Sequence, residues 1–266
     1  MCGRFGASGE QPDTGRSGTV SGTRGVSVAG APRSLLISHR LPFRMPFRLP
    51  IFPLSVVLFP GNPLPLHIFE PRYRRMLSDV LAADRRFGIV PVLSETDVPV
   101  ADAIGCIAEV RLNQELPDGR SNIVVLGGTR FRVARVLNDP APYLIAQIET
   151  FEDEPGSEPP VEAVDALRQL FGRYLAGVRE LNDTPPEDPV LPDDAATLSF
   201  HVAGAIECDV ALKQRLLAQR STARRVNDLC LLLPILTSAV DRGLEVHRGA
   251  HSNGGGGKMP DMRSVP

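Results

Sequence analysis

The stretch LPIFPLSVVLFPGNPLPLHIFEPRY (Leu49–Tyr73) decides the fold of this chain. Apolar residues and prolines follow one another at a density that a solvated loop does not tolerate. At Pro71 the pattern switches to a basic, helix-like one, Arg72-Tyr73-Arg74-Arg75-Met76-Leu77. Proline fixes φ and cannot donate to a ladder, so Pro53, Pro60 and Pro65 are expected to cut the stretch into strands of a few residues. A sharply bent, short-stranded sheet running into a helix is the local prediction. Pro71 suits the first helical turn, and Tyr73, Met76, Leu77, Val80 and Leu81 recur on one apolar face.

Outward from this stretch, strand signals continue to about residue 153. Phe87 to Leu93 is an apolar run after the charged break Asp84-Arg85-Arg86. Residues 104–116 and 120–127 read as a hairpin around Pro117-Asp118-Gly119. Gly127-Gly128 predicts a bend before Phe131 to Val136, which alternates apolar and basic residues. Asn138-Asp139-Pro140 is a turn leading to a last strand, Tyr143 to Ile148. Six or seven strands and one helix over about a hundred residues make a small, strongly curved sheet or partly closed barrel.

Beyond the acidic, proline-containing break Glu152 to Pro160 the period becomes 3.6. Val161 to Val178 marks a long helix, and Leu191-Pro192-Asp193-Asp194 opens a second with acids at its positive end. A short helix runs from Val210 to Leu217. Ser221 or Thr222 caps the last, in which Pro234 predicts a kink or a break. The fold class is therefore α+β, with a helical bundle after the strands. The organisation read is a disordered arm over 1–44, a strand-built unit over 45–155, a helical unit over 156–247 and a flexible tail over 248–266. Met45 is the preferred translation start, with 1–44 then a mis-called beginning; the Arg-rich arm partly fits an organellar transit peptide, whereas Ser34 to Ile37 is too short and too late for a secretory signal.

Composition narrows the function. Residues 49–241 carry a formal charge of −9, against +5 on residues 1–48 and +2 on residues 242–266. An acidic body is a poor partner for phosphate backbones, which argues against nucleic acid. No apolar run is long enough to span a bilayer. Cys2, Cys106, Cys208 and Cys230 form no paired pattern; Cys2 falls in the arm, and the other three read as small buried apolar residues in a reducing, cytoplasmic setting.

Catalytic motifs are not found. Gly254 to Lys258 is followed by Met259-Pro260 rather than by the Ser or Thr and helix of a phosphate loop, and there is no G-x-S-x-G elbow. A Ser–Lys dyad would have to use Lys213, read as a solvated side chain. His67, Glu70 and Arg72 could cluster, but zinc needs more ligands, and an ion pair between Glu70 and Arg72 pinning the strand–helix corner is preferred. His201 reads as a half-buried histidine. The carboxylates Asp193-Asp194 and Glu152-Asp153-Glu154 read as capping or solvated groups. No cofactor, metal or catalytic residue is assigned.

Several blocks, LFPGNPLPLHIFEPRYRRML (58–77), DRRFGIV (84–90), ELPDGRSNIVVLGGTRFRV (115–133), PYL (142–144), LPDDAATLSF (191–200) and KQRLLAQRSTARR (213–225), resemble in order the N-terminal substrate-binding domain of Lon proteases. The resemblance implies a PUA-like β-barrel followed by a helical bundle, in the manner of stand-alone Lon-domain proteins. The nucleotide-driven unfoldase and serine peptidase of full Lon proteases have no counterpart in the sequence. The implied activity is recognition of polypeptides, unfolded or damaged ones among them, with delivery to a separate protease as an extension. Rigidified by proline and glycine, the loop Phe59-Pro60-Gly61-Asn62 is the candidate for contact, with Phe59, Pro60 and Asn62 as candidate peptide-binding residues. PUA-like folds also serve small ligands and nucleic acids, and a self-associating scaffold or a peptidase are the other rivals.

Overall fold

The computed structural model describes residues 47–91, 99, 101–185 and 189–253. The arm read over 1–44, together with Met45, Cys2 and residues 254–266, lies outside them.

The described residues form an α+β fold of six strands and five helices. In chain order these are β1 (Phe47–Leu54), β2 (Pro63–Ile68), α1 (Pro71–Leu81), β3 (Arg86–Pro91), β4 (Ile104–Glu115), β5 (Ser121–Leu137), β6 (Leu144–Phe151), α2 (Val161–Leu181), α3 (Ala195–Ala205), α4 (Val210–Ala218) and α5 (Thr222–Asn253). The strands make one mixed sheet in the order β2-β5-β4-β3-β1-β6, and β6 pairs again with β5. Five strands thus close a ring of ladders, with β2 outside it as an edge. β1 and β3 are the parallel pair, joined through β2 and α1 because parallel neighbours need a long crossover.

Pro53 and Pro65 do not cut the chain as expected. β1 runs through Pro50 and Pro53 for eight residues, and β2 through Pro65 for six. The reason lies in the partners. Residues 47–50 of β1 pair only with β6 and residues 52–54 only with β3, so each proline has an open side for its missing N–H. β2 pairs only with β5. Gly127-Gly128 is likewise no break. β5 continues for 17 residues, and the irregularity becomes a bulge, two β5 residues opposing Ile107 between the pairs Cys106–Arg130 and Ala108–Gly127. The hairpin is as read: Leu116 N–H donates to Arg120 O (2.8 Å) across Pro117-Asp118-Gly119.

α1 lays Tyr73, Met76, Leu77 and Val80 over Phe52, Phe87 and Ile89 of the sheet interior. The Glu70–Arg72 ion pair forms at its start, Nε to Oε2 2.9 Å, on half-exposed side chains. In the helical half, Leu167, Phe171 and Tyr174 of α2 meet Leu198 and Val202 of α3, Leu216 and Leu217 of α4, and Val226, Leu229 and Leu233 of α5. Asp194 caps α3 by accepting from Thr197 N–H and Oγ1 (both 2.7 Å), and these bonds hold its carboxyl below the usual range. Asp194→Ala is expected to cost about 1 kcal/mol, measurable as a lowered urea midpoint with an unchanged slope. Ser221 is the cap of α5, its Oγ accepting from Arg224 N–H (3.3 Å). α5 does not break at Pro234 and extends past Arg248. Pro234 is exposed, so its ring lies on the side of the helix turned away from the core. Among the described residues, no helix is long and apolar enough to cross a membrane.

Candidate functional site

The turn Phe59-Pro60-Gly61-Asn62 joins β1 to β2 at the seam between sheet and helices. Asn62 N–H donates to Phe59 O (3.1 Å), and Gly61, at φ +76°, supplies the left-handed residue that closes the turn. Two further bonds clamp it to the β5 bulge: Gly61 N–H to Gly127 O (2.8 Å) and Gly127 N–H to Asn62 O (2.9 Å). Phe59 is 1% exposed and sits in the helical core, its ring 6.4 Å from that of Phe200. The aromatic is therefore an anchor and is not presented to solvent. Asn62 Nδ2 donates to Phe200 O (3.2 Å), a second tie to α3.

A groove opens on each side of this anchor. On one side, a cleft of about 220 Å³ is lined by Val56, Val57, Asn62 and Leu64 from the turn region and by Cys208, Val210 and Lys213 from the helices. Lys213 is the charged residue in this lining. It is half-buried, and its Nζ donates to Gly204 O (3.4 Å) at the end of α3, so it is not the solvated side chain expected. On the other side, a groove of about 400 Å³ is lined by Pro60, Gly128, Thr129, Phe151, Ala196 and Phe200, with Arg130 and Asp153 at its floor.

That floor is a buried charge network. Arg225, with no exposed surface, donates to Gln219 O (2.7 Å), Ser199 Oγ (2.8 Å) and Asp153, and its guanidinium stands 3.8 Å from the Phe200 ring centroid. Arg130 donates to Leu217 O and Gln219 O (both 2.8 Å) and to Asp153, and lies 4.7 Å over Phe151. Thr222 Oγ1 donates to Asp153 Oδ2 (2.7 Å). Burial works against the charged form of Asp153. Hydrogen bonds from Arg225 and Thr222 and the two guanidinium charges outweigh it, and the carboxyl ionises below its usual range. Burial, reinforced by repulsion from Arg225, lowers the pKa of Arg130 against the pull of Asp153. Asp153 reads from the sequence as a capping or solvated group; its side chain is 18% exposed and joins β5 to α5 through Arg130, Arg225 and Thr222. The groove lining carries Arg130, Glu152 and Asp153, and with the buried Arg225 beneath it the formal charges balance.

Other sequence candidates fall outside this seam. His67 is exposed, hydrogen-bonded to Asn122 Oδ1 through Nδ1 (2.8 Å) and stacked near Phe69, away from the Glu70–Arg72 pair. His201 is half-buried, edge-on to Phe171 at 6.0 Å, and burial pushes its pKa down. Cys106 is buried and its thiol pushed up to about 12 by that burial, whereas Cys208 and Cys230 are half-buried. Among the described residues, no group of three His, Cys, Asp or Glu side chains could hold a metal.

The free edge of the sheet, β2, is poorly suited to strand addition. The ladder enters β2 through Asn62 O, and the two-residue alternation then turns Leu64, Leu66 and Ile68 toward β5. Pro63, Pro65 and His67 face outward. Two of the three outward positions have no N–H, which blunts the edge against strand addition.

Residues 48–234 match the family described as the ATP-dependent protease La (LON) substrate-binding domain. The Lon protease of Xanthomonas oryzae is 31% identical over 207 residues, covering 75% of this chain and 23% of that protein. Lon protease 2 of Herpetosiphon aurantiacus is 27% identical over 194 residues, 70% of this chain and 23% of its own. The chain thus spans less than a quarter of these relatives. A solved Lon N-terminal domain protein from Xanthomonas campestris superposes with a TM-score of 0.55 at 24% identity, covering 69% of this chain and 96% of that one. The N-terminal domain of the Mycobacterium avium complex Lon protease gives 0.52 at 18% identity, over 72% and 98%. With the family matched over most of the chain and its fold shared by both solved domains, this protein belongs to the Lon substrate-binding domain family.

Proposed function

We propose that this chain is a non-catalytic polypeptide-binding module that holds unfolded or damaged protein segments and acts in the cytoplasm as an adaptor to a separate protease. Membership of the Lon substrate-binding domain family over residues 48–234 carries the reading. In it, the ring of ladders is a small PUA-like barrel within a unit spanning 45–155, and the helices over 156–247 form a bundle against it. The two grooves beside the Phe59–Asn62 turn take the client. Phe59 acts as the buried anchor, while Pro60 and Asn62 contribute to the groove walls. The 220 Å³ cleft has the volume for one or two apolar side chains of an extended segment, and Val56 on its rim is 40% exposed. No cofactor is required, and the acidic body disfavours nucleic acid as the ligand.

Val56→Glu places a charge where an apolar client side chain would be desolvated. It is expected to weaken binding of a fluorescent, permanently unfolded polypeptide such as reduced carboxymethylated α-lactalbumin by roughly tenfold, about 1.4 kcal/mol, with thermal stability unchanged. Unaltered anisotropy titrations for this variant would reject the cleft as the client site. Incubation with casein, with and without ATP, is expected to leave casein intact. Hydrolysis that follows the purified protein through a second purification would refute the non-catalytic reading.

A further inference from the structure

Helix α5 is apolar on two opposite faces, and among the described residues only one of them is packed. Val226, Leu229, Leu233, Leu236 and Val240 look into the helical core. On the reverse side Leu231 is 65% and Ile235 67% exposed, and Ala239 is exposed with them. Successive residues turn by about 100°, so Leu233 and Ile235 point to nearly opposite sides. Leu231 and Ile235 also border a groove of about 480 Å³ against α4, with Leu212 on its far side. A soluble helix does not ordinarily carry this second stripe without a partner.

The stripe's charges say what the partner is. It reads Asp228, Leu231, Ile235, Ala239, Arg242, and is symmetric in position about Ile235: apolar or small residues one turn to either side, then an acid two turns before and a base two turns after. Asp228 and Arg242 are exposed, and neither makes an ion pair among the described residues. A foreign helix could meet such a stripe only with a matching sequence of its own. A second copy laid antiparallel, with the two-fold axis through Ile235, meets it automatically. Ile235 then packs on Ile235, Leu231 on Ala239, and Asp228 faces Arg242 twice, once at each end.

We propose that the outer face of α5 is a two-fold self-association surface through which two copies of this chain pair antiparallel. The grooves at the seam between sheet and helices lie on other elements and stay open in such a pair.

Sedimentation velocity on the full chain, from about 1 to 200 µM, tests this. The wild type is expected to shift from monomer to dimer across the series. Ile235→Glu, which sets two like charges against each other on the axis, is expected to remain monomeric at every concentration, with the melting temperature of the wild type at the dilute, monomeric end of the series. Asp228→Arg alone opposes Arg242 with a like charge and is expected to weaken the dimer at least tenfold, whereas the exchange Asp228→Arg with Arg242→Asp restores it. A wild type that stays monomeric to 200 µM, or a dimer indifferent to Ile235→Glu, overturns the proposal. Failure of the exchange variant to restore pairing overturns the antiparallel register. Retention of a foreign helical protein by the monomer, lost in Ile235→Glu, would replace the second copy as occupant and would also overturn it.

Discussion

Replacing Asp153 with alanine is expected to cost roughly 3–5 kcal/mol, the range for stripping the counter-charge from a buried ion pair. The cost does not lie in a lost attraction so much as in what remains. Arg130 and Arg225 are almost wholly buried, and without Asp153 their like charges face each other with only carbonyls and two hydroxyls as hydrogen-bond partners. Urea unfolding at pH 7 measures it as a fall in midpoint. Adding Arg130→Met to the alanine variant removes one stranded cation, and the double variant is expected to be more stable than Asp153→Ala alone. A loss below about 1 kcal/mol would mean that water reaches the pair and screens it. The acid response has a definite sign. Because the folded carboxyl ionises below its unfolded value near 3.9, its contribution is complete above that value and is lost as pH falls through the depressed folded one. The wild type is therefore expected to lose stability steeply below about pH 4, and Asp153→Asn to lose less over the same interval, starting from a lower plateau.

What the sequence could reveal divides according to whether its cause is local. α1, the 117–119 hairpin, α2 and the Asp194 cap were legible because periodicity, turn chemistry and capping act within a few residues. Pro53 and Pro65 misled because a proline's effect on a strand depends on which side its neighbour lies, and the neighbours of β1 arrive from β3 and β6, far along the chain. The bulge at Gly127-Gly128 looked like a bend for a related reason: the strand continues by changing partners from β2 to β6. Asp153 is the plainest case. Its triplet of acids beside a proline has the composition of a linker, and its role comes from arginines 23 and 72 residues away. The available signal was the reverse one, Arg130 within TRFRV and Arg225 within STARR, both among the blocks that resemble the Lon domain. At the candidate site, the turn was legible from its proline and glycine. The core that claims Phe59 was not, since an aromatic in a tight turn can face either the sheet or the helices.

The same turn yields the second large effect. Gly127→Ala is expected to destabilise the protein by roughly 3 kcal/mol or more, above the usual range for one overpacked methyl. A Cβ at this position would collide with the Phe59 carbonyl oxygen and stand 2.8 Å from its carbon and 3.2 Å from Leu58 Cγ. The obstacle is backbone, which cannot swing aside as a side-chain tip can. Relief requires the turn to move off β5, breaking the bonds that Gly127 makes with Gly61 and Asn62 and drawing Phe59 out of the helical core. Gly128→Ala is the matched control. Its nearest neighbour is Ile107 O at 3.4 Å, an ordinary contact, and it is expected to shift stability by no more than about 0.5 kcal/mol. The comparison also bears on the grooves proposed to take a client, because Gly127 clamps the turn that lies between them. If Gly127→Ala unfolds no more readily than Gly128→Ala, the turn yields without carrying Phe59 along, and sheet and helices are held in register by ties outside it, the Arg130–Asp153–Arg225 network and the Gln214–Ile104 bond among them.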